Sequence, residues 1–327
     1  MNKKNYFIEF NRFIAILIIM GHHLSRVKAV DYHFATGWVY VEFFFLVTGY
    51  FTARHLCRYP EENCIDYTLA KFKRLIGIAW LAIVSEYMLE LSITFIVDKN
   101  RGLPVLLSYL KDLPFEMMMI GSSYKTPSLV PVWYLSALFI VFPLFCLFYQ
   151  IKNKQLRHTL EVLIPLVYYG YAGIYDNWRF PLNLIRAFSC LLLGAFIFDF
   201  GRKIIAVLDR RFSEAGYTAL QLICLIIPVL ACWYNTVEYH RVVVLCFMIV
   251  MTITAGDRGI KLKHGIFGLL GEITMPIYLF HWVVAMFIGA YLEALGQNLR
   301  ILIYYSTSIL LGIMIVMVKK KIKKHSS

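Results

Sequence analysis

Charge is what this sequence has little of. Asp, Glu, Lys and Arg make up 16% of its 327 residues, where soluble domains carry about a quarter. A chain so poor in charge and 60% hydrophobic, with a mean hydropathy of +0.65, is a polytopic membrane protein and not a soluble globule. Acidic residues are the scarcer sign, 20 against 33 Lys and Arg, for a net charge of +13. In a soluble chain that surplus would point to nucleic acid. Here the cations crowd into short segments between apolar runs, as the positive-inside rule requires, and no nucleic-acid partner is expected. The seven cysteines (57, 64, 146, 190, 224, 232 and 246) are scattered through mostly apolar segments without a C-x-x-C pair. They read as packing residues, with neither a disulfide framework nor a metal site. A phosphate-binding glycine-lysine loop, H-E-x-x-H and a serine elbow are all missing, so ATP hydrolysis and zinc proteolysis have no support, and no bound cofactor is expected. No internal repeat is visible, which weakens an inverted-repeat transporter.

What the sequence does have is length enough in its apolar runs to cross a bilayer about ten times. These runs fall near 8–28, 37–55, 75–97, 131–150, 159–175, 181–200, 216–234, 239–256, 273–293 and 299–318. The first is kept as a transmembrane helix and not a signal peptide, because Arg12 interrupts it and no small-residue cleavage site follows. With the N-terminus inside, most of the 33 basic residues fall on one side, including Lys71, Lys73, Arg74, Arg210, Arg211 and the tail from Lys319 to Lys324. The even number of spans then puts both termini in the cytoplasm. The expected fold is an all-α helical bundle in the cell (inner) membrane, with residues 1–318 as one domain and 319–327 as a basic cytoplasmic tail. Most connections are short. The exception is 98–130, an outer loop carrying Pro104, Pro114 and Pro127, whose Phe115–Gly121 stretch reads as re-entrant or interfacial.

The polar residues inside these runs are the candidates for function. Arg12 and His23 lie eleven positions apart in the first run, and eleven steps of about 100° bring them onto one face, roughly 16 Å apart along the axis. An ionisable group within a membrane span is costly and marks function by default, although an arginine near a helix end also snorkels to the interface. Glu42 enters the second span at a depth similar to that of His23. Beside an imidazole it would orient the ring and raise its basicity, as a general base needs; a structural pair is the other reading. Lys71-Phe72-Lys73-Arg74 opens the third span on the inner side, either as a topology determinant or as an anion site. Trp133 and Tyr134 fit an interfacial aromatic belt. Arg186 needs a partner or water, with Glu86 and Glu90 among the choices, while Tyr278 and His281 share one face of the ninth span. These groups together describe anion recognition at the inner face and a base near the outer face.

At these residues the chain resembles the acyltransferase-3 family of integral membrane acyltransferases. Arg12 and His23 fit its R-x10-H pattern. Val41-Glu42-Phe43-Phe44-Phe45-Leu46-Val47-Thr48-Gly49-Tyr50-Phe51 is similar to G-V-D-x-F-F-x-x-S-G-F, with Glu42 for the acid and Thr48 for the serine. Lys71 through Ile76 looks like R-F-x-R-I, with Lys71 for the first arginine and Gly77 for the following proline. Further echoes are Val132 through Leu138, Arg186 through Gly194, and Ile273 through His281. The resemblance implies transfer of an acyl group, usually acetyl, from cytoplasmic acetyl-CoA as co-substrate to a hydroxyl of an envelope polysaccharide or other glycan. Some members carry an additional hydrolase domain; without one, transfer is completed by the membrane domain or with a separate protein. In those terms His23 and Glu42 are the expected catalytic pair, with His23 as the base or a transient acyl carrier. Arg12, Lys71, Lys73 and Arg74 are the expected donor-binding cations, and Trp133, Arg186, Tyr278 and His281 serve the acceptor or the structure. Lysine at 71 lacks arginine's bidentate fork. The rival reading is a transporter or exporter of a glycan or lipid-linked intermediate, in which the same His, Glu and Arg form a proton relay.

Overall fold

The computed structural model describes residues 5–26, 34–97, 99–120, 130–172, 181–234, 240–256, 258–263 and 265–325. Among them are eleven α-helices, a single turn of 3-10 helix at Gly37–Tyr40, and no strand. The helices are α1 Tyr6–Arg26, α2 Val41–Arg58, α3 Cys64–Val97, α4 Lys99–Met117, α5 Val132–Tyr149, α6 Lys154–Ala172, α7 Leu182–Leu208, α8 Glu214–Trp233, α9 His240–Ala255, α10 Gly265–Tyr291 and α11 Gln297–His325. By length and composition, six are apolar enough to cross a membrane: α1, α3, α5, α8, α10 and α11. Burial separates these six into two sets. The apolar windows of α1, α5 and α10 are 67%, 67% and 61% buried, against 22%, 28% and 22% for α3, α8 and α11. The first set forms the centre of the bundle and the second its periphery.

The centre is closed by α2 against α7. Gly49 lies so close to α7 that an added Cβ would sit 2.1 Å from the Leu191 carbonyl oxygen, and one on Gly194 would sit 2.2 Å from that of Leu46. Only glycine permits two helix backbones to meet at that distance. The two helices run parallel, with Glu42 facing Arg186 at one end and Tyr50 facing Phe198 further along. Helix α1 is held on the other side by α11, whose Tyr304 and Tyr305 hydroxyls donate to the carbonyls of Met20 and Leu17, each at 3.1 Å.

Three expectations change here. Helix α3 begins at Cys64, well before 75, because the Asn63 side chain accepts the backbone N–H groups of Ile65 (2.8 Å) and Asp66 (3.3 Å) and caps the helix there. Lys71, Lys73 and Arg74 therefore sit inside α3 and not at its opening. The long outer connection contains a further helix, α4, which folds back along α3 in spite of Pro104 and Pro114. Tyr109 stacks on Tyr87 (centroids 4.3 Å apart, planes at 4°), and the Trp80 indole donates to the Met117 carbonyl at 2.8 Å. Phe115 thus ends a helix; Gly121 and Pro127 lie outside the described residues. Finally, the basic segment from Lys319 continues α11 as helix, and Lys320 pairs with Glu272 of α10 at 2.6 Å. Asp209, between α7 and α8, is held at 2.7 Å by Arg258, between α9 and α10, which keeps its carboxyl below the ordinary aspartate range.

Candidate active site

A cavity of about 350 Å³ opens between α1, α2, α3, α5 and α10. Arg12, Lys71 and Arg74 line it, with Glu9, Thr48, Phe44, Tyr134 and Met275. Three of the four expected donor cations therefore meet in one place. The fourth, Lys73, is exposed on α3 and is not part of the lining. Arg12 is paired with Glu9 at 2.9 Å, a residue one turn earlier on the same helix face. Glu9 in turn is seated against Gly271 of α10, where a Cβ would lie 1.7 Å from its carboxylate. Lys71 donates to the Thr52 hydroxyl at 3.0 Å and lies over the rings of Tyr67 and Phe142, 4.9 and 4.5 Å from their centroids. Its ammonium is thus drawn toward the bundle and fixed by contacts along its stem and head. Two guanidinium groups and an ammonium, against the one carboxylate of Glu9, give the cavity lining the chemistry to hold an anion such as a phosphate ester.

A second polar cluster sits toward the other end of α1. His22 and His23 are both buried. The His22 Nδ1 donates to the Ala35 carbonyl, tying the end of α1 to the chain before the 3-10 turn. The His23 ring lies 5.0 Å from that of His22, 5.0 Å from His281 and 5.3 Å from Trp282, between centroids. His281 is fully buried, and its Nδ1 donates to the Ile277 carbonyl at 3.1 Å. Because a carbonyl can only accept, Nδ1 bears the proton and Nε2 the lone pair. The two clusters are separated by three buried rings, Phe44, Tyr134 and Tyr278, in mutual contact at 5.5–6.2 Å. Tyr278 is anchored by donating its hydroxyl to the Pro131 carbonyl at 3.0 Å, and it also touches His281 at 5.9 Å.

Glu42 is engaged elsewhere. Its Oε1 accepts from Arg186 Nε at 3.1 Å and its Oε2 from the Tyr169 hydroxyl at 2.9 Å. Arg186, with no exposed surface, also donates to the Trp38 carbonyl at 3.2 Å and lies over the rings of Trp38 and Trp133, at 4.7 and 5.5 Å. The structure thus joins Glu42, Arg186 and Trp133 in one buried network and sets His23 beside His281 instead. Glu86 and Glu90, the expected partners of Arg186, lie on α3, whereas Arg186 has Glu42 as its ion-pair partner.

With this arrangement in view, the comparison with known sequences is decisive. A family profile described as an acyltransferase domain, that of the acyltransferase-3 family, matches residues 5–318. The chain belongs to the acyltransferase-3 family. No curated protein and no solved structure gives a match.

As a member of that family, the chain keeps the resembling segments at its structural joints. The motif around Thr48-Gly49 supplies the close approach to α7 and one wall of the cavity, and Arg186 through Gly194 supplies the opposite side of the same contact. Trp133 and Tyr134 do not form an interfacial belt; they are buried, one over Arg186 and the other lining the cavity. Sequence reasoning passed over Glu9, Tyr169 and Trp282. Glu9 was within reach, since it lies three positions before Arg12. Tyr169 and Trp282 sit in apolar helices, where spacing gives no sign of their contacts.

Proposed function

We propose that this protein is a membrane O-acyltransferase that moves an acyl group, acetyl in the leading case, from cytoplasmic acyl-CoA to a hydroxyl of a cell-envelope glycan. All helices but α4 cross the membrane, ten spans in all, with both termini in the cytoplasm. That orientation puts the Arg12–Lys71–Arg74 cavity at the inner face and the histidine cluster toward the outer face. The observation that carries the reading is the convergence of those three cations on one cavity, with a histidine cluster beyond it on the same helix α1. The donor's phosphates sit among the cations, whose charge offsets their own. A sugar hydroxyl is a poor nucleophile at neutral pH, and His23 removes its proton as it attacks the thioester carbonyl. The C–O bond forms, the C–S bond breaks, and the departing thiolate takes up a proton. Glu42 acts through the fold, by holding Arg186 between α2 and α7.

Membranes given radiolabelled acetyl-CoA test this. Label is expected to reach envelope glycan with the intact protein and to be lost in His23→Ala, by at least about 100-fold, while the variant still accumulates in the membrane. Arg74→Ala is expected to weaken acetyl-CoA binding by about tenfold, the loss of one charge-assisted contact. Glycan that moves in a proton-dependent way without acquiring label would replace this reading with export.

A further inference from the structure

We infer that His281 Nε2 and Trp282 Nε1 form a seat for a hydroxyl group of the acceptor, beside the His23 base. This rests on the acyl-transfer reading above and adds to it how the acceptor is recognised.

Both atoms are buried, and neither has a hydrogen-bond partner among the described residues. They are complementary. His281 Nε2 offers a lone pair, since the ring proton is committed at Nδ1 to the Ile277 carbonyl. Trp282 Nε1–H can only donate. They belong to consecutive residues of α10, and both rings rest on that of His23, at 5.0 and 5.3 Å between centroids. A buried donor or acceptor left unsatisfied costs about 1–3 kcal/mol, so an unpaired acceptor and an unpaired donor beside one imidazole need a use.

A hydroxyl meets both needs, giving its proton to Nε2 and accepting at its oxygen from Nε1–H. A carboxylate or a fully ionised phosphate would leave Nε2 unsatisfied because it has no proton to give. An ammonium would leave Nε1–H unsatisfied because it has no lone pair. Trp282 is only half-buried whereas His281 is fully enclosed. The seat is therefore approached from the side of the indole, whose exposed part offers a flat face to a sugar. His23 takes the proton of the attacking hydroxyl, and the His281–Trp282 seat holds a neighbouring one. The acceptor class that follows is a vicinal diol, as on a pyranose ring, and a simple monohydric alcohol is excluded from efficient transfer.

The test is steady-state acyl transfer in purified membranes, with the acceptor varied at saturating acetyl-CoA and the donor varied at saturating acceptor. His281→Gln keeps a donor for the Ile277 carbonyl, and Trp282→Phe keeps the ring while removing the N–H. Each is expected to raise the acceptor KM about tenfold, the worth of one hydrogen bond lost together with its partner's satisfaction, with the donor KM unchanged. An unchanged donor KM also shows that the variant is folded. Wild-type discrimination between a diol and its mono-deoxy analogue is expected to collapse in both variants. If the wild type transfers acyl groups and both variants keep the wild-type acceptor KM, the seat is overturned while the enzyme reading stands. Loss of kcat at constant acceptor KM in His281→Gln would also overturn it, by making His281 a base. No acyl transfer by the wild type overturns the enzyme reading and the seat with it.

Discussion

Arg186 brings a full charge into the bundle, and among the described residues Glu42 is the carboxylate paired with it. Such a pair is an asymmetric asset. Its two charges gain little over an apolar filling of the same shape, but removing one partner leaves the other charged and buried, at about 3–5 kcal/mol. Arg186→Met is therefore expected to reduce the amount of folded protein recovered in detergent and to lower its unfolding temperature. Arg186→Met combined with Glu42→Leu is expected to recover much of that loss. Equal unfolding temperatures for wild type and Arg186→Met would show that the pair does not hold α2 to α7. From the sequence, Arg186 was recognisable as a residue needing a partner. Glu42 was read as an orienter of histidine, because depth alone cannot tell which of several neighbouring helices a carboxylate faces. The two residues lie 144 positions apart, and the spacing rules that found Arg12 and His23 on one face apply only within a helix.

At the scale of helices, the joint between α2 and α7 depends on Gly49 and Gly194. A methyl group at Gly194 would meet the Leu46 carbonyl and the Tyr50 nitrogen, both backbone atoms that cannot turn aside. Gly194→Ala is expected to destabilise the protein by about 1–3 kcal/mol through overpacking. Gly77→Ala, where the Cβ meets nothing within 4 Å, is the control expected to leave thermal unfolding in place. The helices themselves were legible, since each of the ten apolar runs lies largely on a helix. Their ends and the eleventh helix were less so. The start of α3 was set by a cap at Asn63, outside the apolar pattern, and α4 was hidden by two prolines that read as breakers. The packing of α4 on α3, through rings that stack and an indole that donates, overrides that local preference.

For the molecule as a whole, orientation in the membrane is open to a direct check. Cys57, near the end of α2, is the exposed one of the seven cysteines; the other six are buried. With both termini inside, Cys57 faces the cytoplasm. A membrane-impermeant maleimide is expected to leave it unlabelled in intact cells and to label it in inverted vesicles. Labelling in intact cells would reverse the proposed topology. The grouping of Arg12 with Lys71 and Arg74 was legible; the exclusion of Lys73 was not. Lys73 belongs to the same basic run as Lys71 and Arg74, but it does not line the cavity, its direction about α3 differing by about 100° from that of Arg74.

Phe44, Tyr134 and Tyr278 bring out what this layout means for the cell. Packed against one another, they fill the space between the two polar clusters. In the proposed orientation, coenzyme A and its phosphates stay on the side where they are made and recycled. On the proposed function the glycan stays on the side where it is displayed, and the thioester end of the donor has to pass these rings to meet its hydroxyl. On that function the outer coat is chemically edited at the expense of a thioester made inside.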